Sequence, residues 1–298
     1  SNGTDLYFDR HDGQAVTTDD FVKAIADANK QNLEQFKLWY SQSGTPIVEV
    51  TAKYDSEEQT YMLGLTQSCP ATPGQQVKKA FYIPLAIGLL DAQGNDLALN
   101  QEGETDIPAG TRVVHLNKPE QNIVFHGIKS KPILSMLRGF SAPVKIKLKQ
   151  NFEECCFLLA NDNDAFSRWE ASQKIAISIL KQFFKQKNNN TMHVDKTYLQ
   201  ALRSLLTKED QDLAMTAAII TLPSVDYIAE CVSVIDPQRI HQGRLLLKQA
   251  IVENLKDDLY DTYETNIQDE TYKIDPYAIG QRALKNVCLD YLLETNQQ

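Results

Sequence analysis

The residues best suited to hold a metal or move a proton near neutral pH are five histidines, His11, His115, His126, His193 and His241. A catalytic zinc keeps three protein ligands around an open position, and a helix can present two of them at i and i+4. No two of these histidines have that spacing, and H-E-x-x-H does not occur. His115 and His126 fall in separate predicted strands that can approach each other. A pair of strand histidines without a third ligand reads as structural. His11 sits in Arg-His-Asp-Gly, which has turn chemistry.

Nucleophiles and phosphate cradles are no better represented. There is no G-x-S-x-G, no Walker loop and no G-x-G-x-x-G. The five cysteines, Cys69, Cys155, Cys156, Cys231 and Cys288, are odd in number and form no C-x-x-C. Cys155 and Cys156 lie in an apolar helical run and read as buried small hydrophobes, which fits a reducing compartment. Asn161-Asp162-Asn163-Asp164 has the opening of a calcium loop but lacks its glycine and closing glutamate, so helix capping is the expected role. Glu57-Glu58, Glu153-Glu154 and Asp257-Asp258 are neighbours in sequence, do not face one another on a helix, and are expected to be solvated. Asn189-Asn190-Thr191 is a formal glycosylation sequon. Phe140 and Trp169 read as core. No catalytic, cofactor-binding or metal-binding residue is assigned.

The elements that would position any such group come in three blocks. Residues 17–30 have helical periodicity, with Thr17 and Asp20 at capping-box spacing, and Leu33, Phe36 and Tyr40 continue it. At Ser43-Gly44-Thr45-Pro46 the period changes to two. Strands are predicted around 48–54, 61–65, 81–89, 97–99, 111–116, 121–125 and 143–149, with a turn at 91–96. Pro84 within such a strand implies an edge or a bulge. From residue 151 the pattern is helical again, in six or more segments with short links, and Asp164 and Asp275 stand at N-cap positions. The expected fold is a short helical lead-in, an antiparallel seven-to-eight-stranded β-sandwich and an α-helical solenoid. The domain boundaries expected are 1–44, 45–150 and 151–298.

Composition is that of an ordinary soluble globular chain, with 42% hydrophobic and 23% charged residues. The net charge of −9 divides into −3 for residues 1–44, +1 for 45–150 and −7 for 151–298. An acidic chain without a Lys/Arg stripe argues against nucleic acid as a partner. The apolar runs are too short for a membrane span, and no signal peptide opens the chain, so a cytoplasmic location is expected.

Several stretches resemble the bacterial aminopeptidase N family, the large gluzincin zinc aminopeptidases. They are GTDLYFDRHDGQAVTTDDF at 3–21, WYSQSGTPIVEV at 39–50, FSAPVKIKL at 140–148, NDNDAFSRWEASQ at 161–173 and LPSV at 222–225. The resemblance implies four parts in the parent: an N-terminal β domain, a thermolysin-like catalytic domain, a small β-sandwich and a large helical domain. On that layout this chain is an internal piece. Residues 1–44 are the last helices of the catalytic domain, and Ser43 to Pro46 are its exit into the sandwich. The helical domain is incomplete.

The family's zinc is held by H-E-x-x-H and a downstream Glu, and G-A-M-E-N anchors the substrate amine. Neither motif is present here, and no tyrosine of this chain takes the oxyanion role. The resemblance therefore implies zinc bound upstream of residue 4, and a chain that is inactive alone. Its partners would be the rest of the parent polypeptide and, in the whole enzyme, peptides. The alternative is a free-standing peptide- or protein-binding module built from a sandwich and a solenoid.

Overall fold

The computed structural model describes residues 2–186, 191–208, 212–267 and 272–296. The chain divides into two compact units. One comprises Ser1–Gly88, Leu97–Lys131 and Phe140–Lys149; the other comprises Leu89–Asp96, Pro132–Gly139 and Gln150–Gln298.

The first unit opens with three helices, α1 (Asn2–His11), α2 (Thr18–Asn29) and α3 (Leu38–Ser41). Helix α1 has no strong apolar period, and the sequence alone places no helix there. It exists because it lies close on α2: a Cβ at Gly3 would come within 2.6 Å of Ile25 Cδ1. The start of α2 follows the capping expectation, since the Thr17 backbone N–H and hydroxyl both donate to Asp20 Oδ2 at 2.8 Å. Asp therefore serves where Glu or Gln is usual. Trp39 of α3 donates from Nε1 to the Tyr82 carbonyl at 2.9 Å and stacks on Phe81 at 4.6 Å between centroids.

The change of period at Ser43–Pro46 is fixed by side chains of the 72–78 loop. Ser43 N–H donates to Gln75 Oε1 at 2.9 Å, and Lys78 Nζ donates to the Ser43 carbonyl at 2.9 Å. Gly44 has φ +95, and a Cβ there would lie 3.0 Å from Cys69 Sγ, so glycine suits both the dihedral and the space.

Seven strands follow along the chain, of which β6 and the last two residues of β3 belong to the second unit: β1 (Ile47–Asp55), β2 (Thr60–Ser68), β3 (Ile83–Leu90), β4 (Arg112–Leu116), β5 (Glu120–His126), β6 (Ile133–Met136) and β7 (Lys145–Leu148). They form a four-stranded sheet in the order β5-β2-β1-β7 and a three-stranded sheet in the order β4-β3-β6. Alternation along β2 buries Tyr61, Leu63 and Leu65, while β3 is buried along almost its whole length.

Four details depart from the sequence reading. The β1–β7 pairing is parallel, from Ile47 opposite Lys145 to Val50 opposite Leu148, whereas the β1–β2, β2–β5 and β3–β4 pairs are antiparallel. Residues 97–99 form no strand; Ala98 makes an isolated bridge to Ala109. Strand β6 escapes periodicity because Ile133–Met136 is short and does not alternate. Pro84 lies in β3, between β4 and β6, and not in an edge strand. Two residues on, Ala86 N–H points to the same side and donates to Ser141 Oγ at 2.9 Å. A missing N–H at Pro84 thus falls where that side of the strand is met by a side chain and not by a ladder.

Gln67 stands at the next inward position of β2, where alternation calls for an apolar residue, and it is buried. Its Oε1 accepts from Phe81 N–H at 2.7 Å, and its Nε2 donates to the Phe81 and Lys118 carbonyls at 2.9 Å each. The amide satisfies backbone groups that no strand reaches.

The loop before β4 is closed by an ion pair. Arg112 meets Glu104 through two parallel bonds of 2.6 and 2.8 Å, and Glu104 also accepts from Gln101 N–H. The Arg112 guanidinium, then the Gln101 N–H, hold the Glu104 carboxyl down to about 2. A depressed carboxyl pKa contributes stability above the unfolded value, near 4.5, that is lost as pH falls towards about 2. NMR titration is expected to place the Glu104 midpoint near the lower value. Arg112→Gln should return it to the ordinary carboxylate range.

The second unit is helical: α4 (Phe152–Asn161), α5 (Ala165–Lys185), α6 (Lys196–Leu206), α7 (Leu213–Ile220), α8 (Val225–Glu230), α9 (Pro237–Thr265) and α10 (Pro276–Leu292). Six begin on a side-chain cap from Asn151, Asp164, Asp195, Asp212, Asp236 or Asp275, and Ser224 caps α8. Proline follows the cap in α9 and α10. Helix α9 runs 29 residues, with a kink at Leu255. Leu159, Ile175, Leu180, Leu205, Ile220, Leu247 and Leu284 belong to one continuous core, together with Cys155, Cys156 and Cys288.

The end of α7 shows how these helices are joined. Its last carbonyls have no partner within the helix. Ser172 and Gln173 of α5 donate to the Ile219 and Thr221 carbonyls, and the buried Tyr291 hydroxyl of α10 donates to the Ile220 carbonyl at 2.7 Å.

Candidate functional site

Each group that could do chemistry has a location. His115, on β4, lies beside the Tyr82 ring at 5.3 Å, and His126 ends β5. Both line one open cavity of about 600 Å³, together with Arg112, Gln121 and Ile123. They line it from strands of different sheets. Among the described residues no group of three or more His, Cys, Asp or Glu can hold a metal ion. His11 closes α1 against Tyr7 and is followed by a turn at Asp12–Gly13.

The paired carboxylates are accounted for singly. Glu57 and Glu58 donate their backbone N–H groups to Asp55 in the β1–β2 turn. Glu154 completes a capping box with Asn151. Asp258 pairs with Arg203 at 2.9 Å. The cysteines form no disulfide. Burial pushes the Cys156 and Cys288 thiols up to about 12, so neither is a thiolate nucleophile at neutral pH. Trp169 packs against the helical core, but Phe140, expected in the core, is exposed. Its backbone explains this, because φ of +51 at Phe140 follows left-handed Leu137 and Gly139 and turns the side chain outward. Asn189 and Asn190 of the sequon lie outside the described residues.

The densest polar constellation surrounds Arg138, in the second unit. Its side chain is 2% exposed and its NH2 group bonds both Asp96 at 2.8 Å and Asp162 at 2.9 Å. Arg138 Nε donates to Ser135 Oγ, which donates to Ser167 Oγ; Ser167 in turn donates to Asp164 Oδ1. Asp164 caps α5 through Ser167 N–H and accepts Gly139 N–H on its other oxygen. Asn163 Nδ2 reaches Asp96 at 3.2 Å. Asn161-Asp162-Asn163-Asp164 is therefore a junction between α4 and α5 that grips the 135–139 segment and the 91–96 turn. The fit is close, since a Cβ at Gly94 would lie 2.8 Å from Asn161 Cβ.

Charge is unevenly shared here. Burial opposes the Arg138 charge, but the Asp96 carboxylate, with Asp162 and Asp164, outweighs it and holds the Arg138 pKa above its ordinary value. One guanidinium faces three carboxylates. Asp162 is the most buried of them, and burial pushes its carboxyl up despite Ser135, the Asp164 N–H and Arg138. Asp162 Oδ2 makes no hydrogen bond within the described residues. Serines and carboxylates bonded to one another and to a shared arginine make an interlock between segments of the chain. Only the Asp164 cap is legible in the sequence; Arg138, Ser135 and Asp96 are not.

Residues 44–151 match a domain of unknown function, DUF3458, described as having an Ig-like fold, and residues 152–298 match its companion, DUF3458_C, described as ARM repeats. The chain is 38% identical to aminopeptidase N of Escherichia coli over 291 residues, covering 97% of this chain and 33% of that protein. The chain belongs to the aminopeptidase N family. Aminopeptidase N of Haemophilus influenzae is 35% identical, over 99% of this chain and 33% of its own length. The crystal structure of Legionella pneumophila aminopeptidase A in complex with aspartic acid superposes with a TM-score of 0.82 at 26% identity, covering 99% of this chain and 33% of that one. The chain thus spans about a third of the length of these aminopeptidase N relatives, and is homologous to their non-catalytic C-terminal part.

Proposed function

We propose that this chain is a non-catalytic scaffold portion of a zinc metallo-aminopeptidase that removes N-terminal residues from peptides, and that it is inactive alone. The observation that carries this reading is a sequence homologous across 97% of its length to aminopeptidase N but without H-E-x-x-H or G-A-M-E-N. The residues present do not fit a catalytic zinc: the cavity lined by His115 and His126 also has Glu102, but no three such groups among the described residues come together to hold a metal ion. The metal would be bound by a part of the parent outside residues 1–298.

In the parent, the helical domain would wall off the active-site chamber and limit access to peptides. The partners in this reading are the catalytic domain of the same polypeptide and the enzyme's peptide substrates, with a cytoplasmic location. No described helix is long and apolar enough to cross a membrane. Equilibrium dialysis of the purified chain against zinc tests the proposal. Binding no tighter than to scattered surface histidines is expected. One tightly held equivalent, lost on His115→Ala or His126→Ala, refutes it.

A further inference from the structure

The second unit holds one cavity whose lining differs from its surroundings. It has a volume of about 930 Å³ and is bounded by α5, the start of α9 and the loop between α8 and α9. Phe184, Val232, Val234 and Ile240 make it apolar, and Lys181, Lys185 and Arg239 supply three cations against the single carboxylate of Asp236. That carboxylate is occupied as the α9 cap. Lys181 and Lys185 are exposed, one turn apart on α5, and make no ion pair among the described residues. Residues 151–298 as a whole carry a net charge of −7, so a basic cavity here runs against the charge of its own domain.

Two further observations define the occupant. Val234, which lines the cavity, is 79% exposed, and its chain neighbour Ile235 63%, an apolar pair left in water. The backbone of Ser233, Val234 and Ile235 makes no hydrogen bond among the described residues. Free N–H and C=O groups beside exposed apolar side chains suit an extended peptide backbone, which an alkyl chain cannot match. Lysines at the rim select carboxylates. Arg239 is built into the wall, donating to the Gln186 carbonyl at 2.7 Å and stacked on Phe183 at 3.8 Å, so it adds positive potential without being free to move.

We propose that this cavity binds an extended acidic peptide segment, with an apolar side chain in the pocket and flanking Asp or Glu against Lys181 and Lys185. The inference does not rest on the zinc-peptidase reading and needs no metal. It is tested by fluorescence anisotropy on the whole chain, with a short N-acetylated, dye-labelled peptide alternating Leu and Asp. Acetylation removes the free amine that an aminopeptidase needs, so binding is separated from turnover. Saturable binding is expected that weakens with added salt. It should fall about tenfold or more in the Lys181→Glu/Lys185→Glu double variant. Val234→Ser, at an exposed site that leaves the fold unchanged by circular dichroism, should also weaken it. The same peptide with Lys in place of Asp should not bind. Absence of binding, equal binding of the Lys peptide, or undiminished binding to the double variant overturns the proposal. Oleate binding at the cavity without peptide binding overturns it equally.

Discussion

Replacing Arg138 by methionine is expected to destabilise the helical unit by about 3–5 kcal/mol, the range seen when one partner of a buried ion pair is removed. The guanidinium neutralises Asp96 and Asp162 and supplies Ser135 with its donor. Without it, a fully buried carboxylate stands beside two others. Leu137 and Gly139, both with positive φ, also lose the residue that anchors them. Asp162→Asn is expected to cost much less. It removes one of three negative charges around one positive charge, and it removes the carboxyl whose pKa burial has already raised.

The pH dependence follows from that direction. A raised carboxyl pKa means that the folded chain takes up its proton first as pH falls. The contribution of Asp162 is then least favourable at neutral pH and improves as pH drops through its folded pKa. That improvement should vanish in Asp162→Asn. The chain has two tryptophans, Trp39 in the first unit and Trp169 in the second, so urea unfolding of single-tryptophan variants reports each unit separately. Arg138→Met should move the Trp169 transition. A shift under about 1 kcal/mol would place the interlock among contacts that contribute little.

The second large effect is at Gln67. Gln67→Leu is close in volume and apolar, and an inward position of β2 would ordinarily favour it. It is nevertheless expected to destabilise the sandwich unit by about 2–3 kcal/mol, because it leaves the N–H and C=O of Phe81 buried without partners. Gln67→Glu separates the two halves of the amide. It keeps the acceptor for Phe81 N–H, loses the donor to the Phe81 and Lys118 carbonyls, and places a carboxylate in the core. Its loss should therefore be at least as large. The Trp39 transition reads both, since Trp39 stacks on Phe81 itself.

These two residues mark where sequence reading stops. Alternation along 61–65, the caps at Thr17, Asp164 and Asp275, and the change of period at Ser43–Pro46 are local signals, and the structure follows them; along 48–54 burial alternates only to Val50, and Ala52 is exposed. The parallel β1–β7 pair joins residues nearly a hundred positions apart and has no local signature. Pro84 misleads because its edge-strand rule assumes a ladder on both sides, and Ser141 stands in for one. The Arg138 interlock draws on positions 96, 135, 138, 162, 164 and 167. Apart from the cap at Asp164, none of these positions carries a local signal of its own. Gln67 reads as a break in a hydrophobic pattern, whereas it completes the backbone hydrogen bonding of a neighbouring segment. The absence of a zinc motif is plain in the sequence, because H-E-x-x-H is contiguous.

The central claim is that these 298 residues serve an aminopeptidase as scaffold and not as its reaction centre. Hydrolysis of an aminoacyl-arylamide by the purified chain, with zinc added, tests it most directly. The account predicts release of arylamine no faster than in protein-free buffer with the same zinc. Turnover that co-purifies with the chain and is abolished by a chelator would contradict it.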